Sequence, residues 1–507
     1  MSSPLYRGDH ADFAHHLSLL KLEESDGQSD EVLLAPVLTG PVLNQPSLDP
    51  TQYGLLGGVK KIDTPIYSTM DDELTKKDPR LFFNVSSPSS VFICGSQGSG
   101  KSHTLSCLLE GCLIPSKAGR LLSPLTAVVF HYDAFICDGG GSPCEAAFLS
   151  SHPNLKVRVL CAPTNLRTIK VRGASINKAH IAYNATGFNI DVQPLQIDQS
   201  HLNTKRMLDL MSVARNSSAG PLYLQTVQRI LREMRLLQQS TGCPFNYQDF
   251  KSRVLGSGLL TSQMEPLKQR LDILESFMPP NQARTDYNVK GTKAKPHDGG
   301  SIWVPKLTIV DLSCPCVSPD TACSLFNVCF GIFMEQDTRI GRIVALDEAH
   351  KYMKDSVEAQ NFTDTLLSTV RLQRHLGARI FISTQEPTIS SDLLDLCSVA
   401  IVHRFSSPAW VRALQSHVAA AALNLHAAKD SLAKDEQALL DIPTRLSIFH
   451  RIVNLKVGEA LLFSPGAMLS IVSKEAEQEM VRLGSGYMTI KVRGRLTEDG
   501  GKSVLST

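Results

Sequence analysis

Along this chain the apolar positions fall into short runs closed by polar or small residues, and between many of them lie stretches in which apolar residues recur every three to four positions. The runs VFIC (91–94), LTAVVFHYDAF (125–135), LKVRVLCA (155–162), LTIVDLS (307–313), RIVALDEAH (342–350), ARIFISTQEP (378–387) and VAIVHRF (399–405) are rich in β-branched residues, which predicts strands. Leu105, Leu108 and Leu109 follow the first run at helical spacing, as do Phe362, Leu366, Val370 and Leu376 within a predicted helix over 352–376. Leu222, Val227, Ile230, Leu231 and Met234, then Leu267, Leu271, Leu274 and Phe277, predict a helical insertion inside a segment of about 150–301. Strand alternating with helix predicts an α/β fold: a mainly parallel sheet flanked by helices, with chemistry at the carboxyl ends of the strands.

Around this core, placed at 81–475, the pattern weakens. Residues 1–80 carry scattered Pro, Ser, Gly and Asp with no sustained period and read as a loosely ordered N-terminal extension. In the tail, 476–507, GYMTIKVRGRL (486–496) alternates like a strand and is expected to pack onto the core. Of the 507 residues 42% are hydrophobic, enough for a large core. A net charge of +2 gives no overall basic field, so nucleic acid remains open as a partner without being indicated by charge. Lys290, Lys293 and Lys295, in a Gly/Pro-rich loop, are the local basic group, and solvated lysines are the simpler reading. The chain starts without an apolar leader and has no run of eighteen apolar residues, so no membrane span and an intracellular, cytoplasmic or nuclear protein are expected. Twelve cysteines, several within apolar runs, read as reduced buried thiols. Cys314, Cys316, Cys323 and Cys329 lack a zinc spacing and read the same way.

The chemistry concentrates at two strand ends. After VFIC comes Gly95-Ser96-Gln97-Gly98-Ser99-Gly100-Lys101-Ser102-His103, which fits GxxxxGK[ST] at every specified position. Glycines let the backbone curl so that successive N–H groups converge on one phosphate, and the following helix adds its dipole. Lys101 would reach the β/γ-phosphates of ATP and Ser102 would sit on Mg²⁺. Ile343 to Leu346 followed by Asp347-Glu348 has the form of a Walker B strand, with one carboxylate for Mg²⁺ and one to polarise water. Taken singly, each motif has a plainer reading, a glycine turn or two acids capping a strand. Together they place phosphate contacts on one strand end and metal and base on its neighbour. His131 and Asp133 also sit at a strand end, where a satisfied loop histidine is the simpler reading.

The order GSQGSGKS, LTIVDLS, RIVALDEAHKYM, RLQRHLG, RIFISTQEP and LKVGEALLFSPGA resembles the HerA/FtsK superfamily of P-loop ATPases, the HerA-like branch most. The resemblance covers about 88–112 and 305–466. A DEAH-box helicase shares the DEAH tetrad, but the long insertion before it and the TQ strand after it fit that group poorly. Carried over residue by residue, the resemblance falls on Asp347, Glu348, Gln385 and Gly458–Phe463, with Gln385 as γ-phosphate sensor. It implies ATP and Mg²⁺ as cofactors and a ring, a hexamer in the family, in which an arginine from the neighbouring subunit completes the site. Arg371 and Arg374 are the candidates. The relatives usually carry a small β-barrel ahead of the core, and residues 1–80 show no clear pattern for one. The implied activity is ATP hydrolysis by a motor acting on nucleic acid or a macromolecular partner; the alternative is a nucleotide-dependent switch or scaffold with slow turnover and no translocation.

Overall fold

Along the strand before the glycine loop, Phe92 and Cys94 pack into one hydrophobic layer while Val91 and Ile93 pack into the other. Such two-sided burial belongs to a central parallel strand covered on both faces. The computed structural model describes residues 27–44, 52–64, 77–134, 143–170, 190–211, 222–283, 307–336, 340–417, 448–474 and 477–500. The lysine loop, Lys290 to Lys295, lies outside them.

The parallel part of the sheet comprises β4 (Ser90–Cys94), β6 (Thr126–His131), β7 (Val157–Cys161), β8 (Ile190–Pro194), β9 (Leu307–Asp311), β10 (Arg342–Leu346), β11 (Ala378–Thr384) and β12 (Val399–His403). Its order is β12-β4-β11-β10-β6-β9-β7-β8. Helix α1 (Lys101–Leu113) buries Leu105, Leu108 and Leu109 against one face. On the other face lie α2 (Thr204–Met211), α3 (Leu222–Thr241), α4 (Tyr247–Leu255), α5 (Thr261–Ser276), α6 (Pro319–Met334) and α7 (Val357–Arg371), all of which contribute to the second layer. The expected α/β class, a mostly parallel sheet with helices on both sides and a helical insertion, is what the chain forms. Among the described residues no helix is long and apolar enough to cross a membrane.

Three expectations change. The 1–80 region is not a loose extension in its described parts: β1 (Val37–Thr39), β2 (Tyr53–Asp63) and β3 (Arg80–Asn84) join the same sheet. They form a second wing with β13 (Glu459–Phe463), β14 (Met468–Lys474), β15 (Glu477–Arg482) and β16 (Tyr487–Val492), in the order β15-β14-β1-β3-β2-β16-β13, joined to β12. All pairs in this wing, including that of the short β5 (Gly119–Arg120) with β2, are antiparallel except β1 with β14. The strand expected within 486–496 is β16, which lies in the sheet between β2 and β13. The 150–301 segment is likewise not wholly an insertion, because β7 and β8 extend the parallel sheet, and its long described helices are α2 to α5. The helix drawn over 352–376 begins at Val357 and ends at Arg371; Leu372 breaks it, and a separate turn, Gln373–Leu376, follows.

Candidate functional site

β4 delivers the chain into the glycine loop and α1 leaves it at Lys101. Gly95 has φ 152°, and a Cβ there would lie 2.7 Å from the His403 Cβ and 2.8 Å from the Ser99 Oγ, so only glycine fits. The loop is braced from within and from the side. The Ser99 hydroxyl donates to the Ser96 carbonyl at 2.7 Å, and the Ser96 N–H and hydroxyl donate to the Arg404 carbonyl at 2.9 and 2.8 Å. Gln97 and Gly98 form its exposed crest. Lys101 is 4% exposed and donates to the Ser96 carbonyl at 3.1 Å. Burial pulls its pKa below the ordinary lysine value, with Glu348 and Asp347 pulling the other way, which places both carboxylates within electrostatic reach of the ammonium. His103 departs from its expected place. Its Nε2 lies 2.8 Å from the Arg493 carbonyl, so the side chain serves the C-terminal segment rather than the loop.

The loop rests on a residue not singled out in the sequence. His403, at the end of β12, is fully buried; its Nε2 is 2.8 Å from the Thr104 hydroxyl on α1 and its Nδ1 is 3.0 Å from the Glu459 carbonyl on β13. Burial lowers its pKa to about 4, so the imidazole is neutral. A histidine ending a parallel-strand run was the available signal.

The Walker B strand is β10, and here the sequence expectation needs correcting. It is not the neighbour of β4: β11 lies between them, paired in parallel with both. The interposed strand ends at Thr384, so Gln385 emerges between the glycine loop and the acidic pair. Asp347, 3% exposed, accepts from His131 Nδ1 at 3.2 Å and from the Cys144 thiol at 3.6 Å, both through Oδ2. Its Oδ1 is buried with no protein partner. Burial works against charge on this pair. For the carboxylate it is outweighed by the His131 hydrogen bond and charge, which hold Asp347 below its usual range. For the imidazole it is outweighed by the acidic groups of Cys144 and Asp347, which hold His131 well above its usual range. His131 is thus tied to the carboxylate, not a loop residue satisfied by its own turn. Asp133 pairs instead with Lys351 at 3.3 Å. Asp347 Oδ1 is an orphaned buried acceptor within electrostatic reach of the Lys101 ammonium, and it fits a divalent cation; Ser102, one residue past Lys101, is the second expected ligand.

Glu348 is the one non-glycine residue among those described with positive φ, at φ 49° and ψ 43°. Left-handed backbone costs a side-chain-bearing residue about 1–2 kcal/mol, and such strain concentrates at functional sites. The Gln385 amide donates to Glu348 Oε2 at 3.3 Å, and His350 Nδ1 stands 3.4 Å from the same oxygen. Base and sensor candidates are therefore in direct contact. Arg371 and Arg374 are both exposed, on α7's last residue and on the turn beyond it, and they are not brought to this cluster.

The chain matches no protein-family model and no curated protein. Among solved structures, VirB4 of Thermoanaerobacter pseudethanolicus aligns over 88% of this chain and 97% of its own at 12% identity, TM-score 0.42. The genome packaging NTPase B204 of Sulfolobus turreted icosahedral virus 2, in complex with AMPPCP, aligns over 32% of this chain and 62% of its own at 12% identity, TM-score 0.21. The cytoplasmic domain of the Type VII secretion ATPase EccC of Thermomonospora curvata aligns over 88% of this chain and 29% of its own at 11% identity, TM-score 0.27. Alignments at these scores decide neither fold nor function, and both rest on the chain's own residues.

Proposed function

We propose that this chain is an ATP hydrolase of the HerA/FtsK type, cleaving the β–γ bond by in-line attack of water. The observation that carries the reading is the convergence of three elements. The β4–α1 glycine loop presents Lys101, β10 presents Asp347 and Glu348, and β11, lying between those strands, brings Gln385 to the Glu348 carboxylate. The amides of Gly95 to Ser102 and the Lys101 ammonium bind the phosphates. Ser102 and Asp347 would hold Mg²⁺, which would supply charge neutralisation to the phosphate oxygens. Glu348 polarises the attacking water and Gln385 contacts the γ-phosphate. His131 and Cys144 fix the orientation of the Asp347 carboxylate.

The motif order favours a ring motor acting on nucleic acid or another macromolecule, with an arginine supplied in trans. Charge on the γ-phosphoryl group spreads in the transition state, and an arginine there is worth on the order of a thousandfold in rate. The exposure of Arg371 and Arg374, away from their own subunit's carboxylates, is what such a residue requires. In the test, specific activity rises with protein concentration, Arg371→Ala or Arg374→Ala lowers turnover with ATP affinity kept, and mixing that variant with Lys101→Ala restores part of the activity. Activity independent of concentration in a chain that stays monomeric with ATP bound rejects the ring and leaves the switch.

A further inference from the structure

His350 has no part in the roles given so far, yet it occupies the contact between the acidic strand and the sensor strand. Its Nδ1 lies 3.3 Å from the backbone N–H of Gln385 and 3.4 Å from Glu348 Oε2, the oxygen that also receives the Gln385 side-chain amide. One ring nitrogen thus faces a donor and an acceptor. Without a proton, Nδ1 accepts from the Gln385 N–H; with one, it donates to Glu348; it cannot do both at once. The local backbone is shaped to bring the ring there. The left-handed Glu348 and the tight turn Ala349–Lys351 reverse the chain after β10, returning His350 to the end of β11. Burial, opposed by Glu348 and Glu386 and reinforced by Lys351 and Lys101, keeps the ring's pKa below that of a free imidazole, so the choice between partners is a choice of tautomer.

We propose that His350 is a positioning residue that couples Gln385 to Glu348, so that engagement of the γ-phosphate by Gln385 is transmitted to the carboxylate that polarises water. Before engagement the Gln385 amide occupies Glu348 Oε2 and His350 holds the Gln385 backbone. When the γ-phosphate draws that amide away, Glu348 loses its partner; the partly exposed His350 ring gives its Nε2 proton to water and takes one from water at Nδ1, releasing the Gln385 N–H, and Nδ1–H then donates to the vacated oxygen and orients the carboxylate. This deepens the ATP-hydrolysing reading and rests on it.

The experiment compares kcat, KM and ATP dissociation constant for wild type, His350→Ala, His350→Asn, Gln385→Ala and the double variant His350→Ala/Gln385→Ala. His350→Ala should lower kcat about tenfold or more, the size of effect that follows from a misplaced catalytic group, while ATP affinity changes by less than about threefold. The double variant should be no slower than the slower single variant, because both act through one contact. His350→Asn, whose side-chain oxygen can still accept from the Gln385 N–H, should recover part of the loss, and it carries the comparison if the alanine variant does not fold. An unchanged kcat, a loss lying entirely in ATP affinity, or multiplicative effects in the double variant overturn the proposal. A wild-type chain that does not turn over ATP removes the ATPase reading and this inference with it, whereas normal wild-type turnover with an indifferent His350→Ala removes this inference alone.

Discussion

The two ends of helix α1 each meet a cluster of buried charge, and the clusters are built on opposite principles. At the C-terminal half, Glu110 is fully buried and every demand of its carboxylate is met. It accepts from the backbone N–H of Leu496 at 3.0 Å and of Thr497 at 3.1 Å, from the Thr497 hydroxyl at 2.5 Å and from the Arg493 guanidinium at 2.7 Å. Arg495 stands 3.6 Å away and pairs with Glu145 at 2.5 Å. Burial alone would raise the Glu110 pKa, but these donors outweigh it and lower it. At the N-terminal end the helix's own first residue, Lys101, lies on a backbone carbonyl, with Asp347 carrying an orphaned oxygen and Glu348 on strained backbone. A closed cluster holds a fold together, whereas an open one has donors and acceptors left for a ligand. Buried charge by itself distinguishes neither; its completeness does.

Breaking the closed cluster should give the largest change in stability. Glu110→Ala leaves Arg493 buried without its carboxylate, Arg495 keeping Glu145, and removing one partner of a buried ion pair typically costs about 3–5 kcal/mol. Urea unfolding should show that loss, and a loss below about 1 kcal/mol would mean that the tail is not fastened there. A smaller effect comes from the neutral histidine under the loop. His403 binds protons less readily folded, at about 4, than unfolded, at 6.5. The unfolded chain therefore takes up more protons as pH falls, and this contribution, complete above pH 6.5, is lost between 6.5 and 4. The loss is about 2 kcal/mol at pH 5. Against His403→Gln, which has no such proton to take up, wild type should lose that much more stability between pH 7.5 and 5; parallel curves would contradict the burial argument. The smallest effect lies in the open cluster. Glu348→Gly removes left-handed strain and should raise stability by up to about 1 kcal/mol while abolishing turnover. A destabilised variant would mean that the Glu348 contacts outweigh its strain.

How much was legible in the sequence follows from how local each signal is. The glycine loop, its lysine and the strand and helix on either side lie within about twenty consecutive residues, and the pattern that names them also places them. The acidic pair at 347–348 is as local, but its separation from β4 by β11 is a fact of strand order, which no run of residues states. The antiparallel wing was hidden for a different reason. β2 reads YGLLGGVKKID, and its glycines imitate a loop. Two of them are required by close approaches: a Cβ on Gly54 would lie 2.9 Å from the Gly111 Cα on α1, and one on Gly57 would lie 2.3 Å from the Lys491 carbonyl oxygen on β16. Its partner β16 alternates like a strand in the sequence, but it lies more than 400 residues away, so the pairing of the two could not be read from either neighbourhood. His131 shows the same limit. Its bond to Asp347 spans 216 residues and exists because β6 pairs with β10.

The central claim is that the open cluster binds ATP through Lys101 and hydrolyses it through Glu348, and one pair of variants separates the two acts. Equilibrium ATP binding and single-turnover hydrolysis are measured on wild type, Lys101→Ala and Glu348→Gln. Lys101→Ala should lose ATP affinity, having lost the cation that meets the phosphates. Glu348→Gln should bind ATP as wild type does and hydrolyse it at least about a hundredfold more slowly. Wild-type affinity in the first variant, or wild-type turnover in the second, would contradict the account.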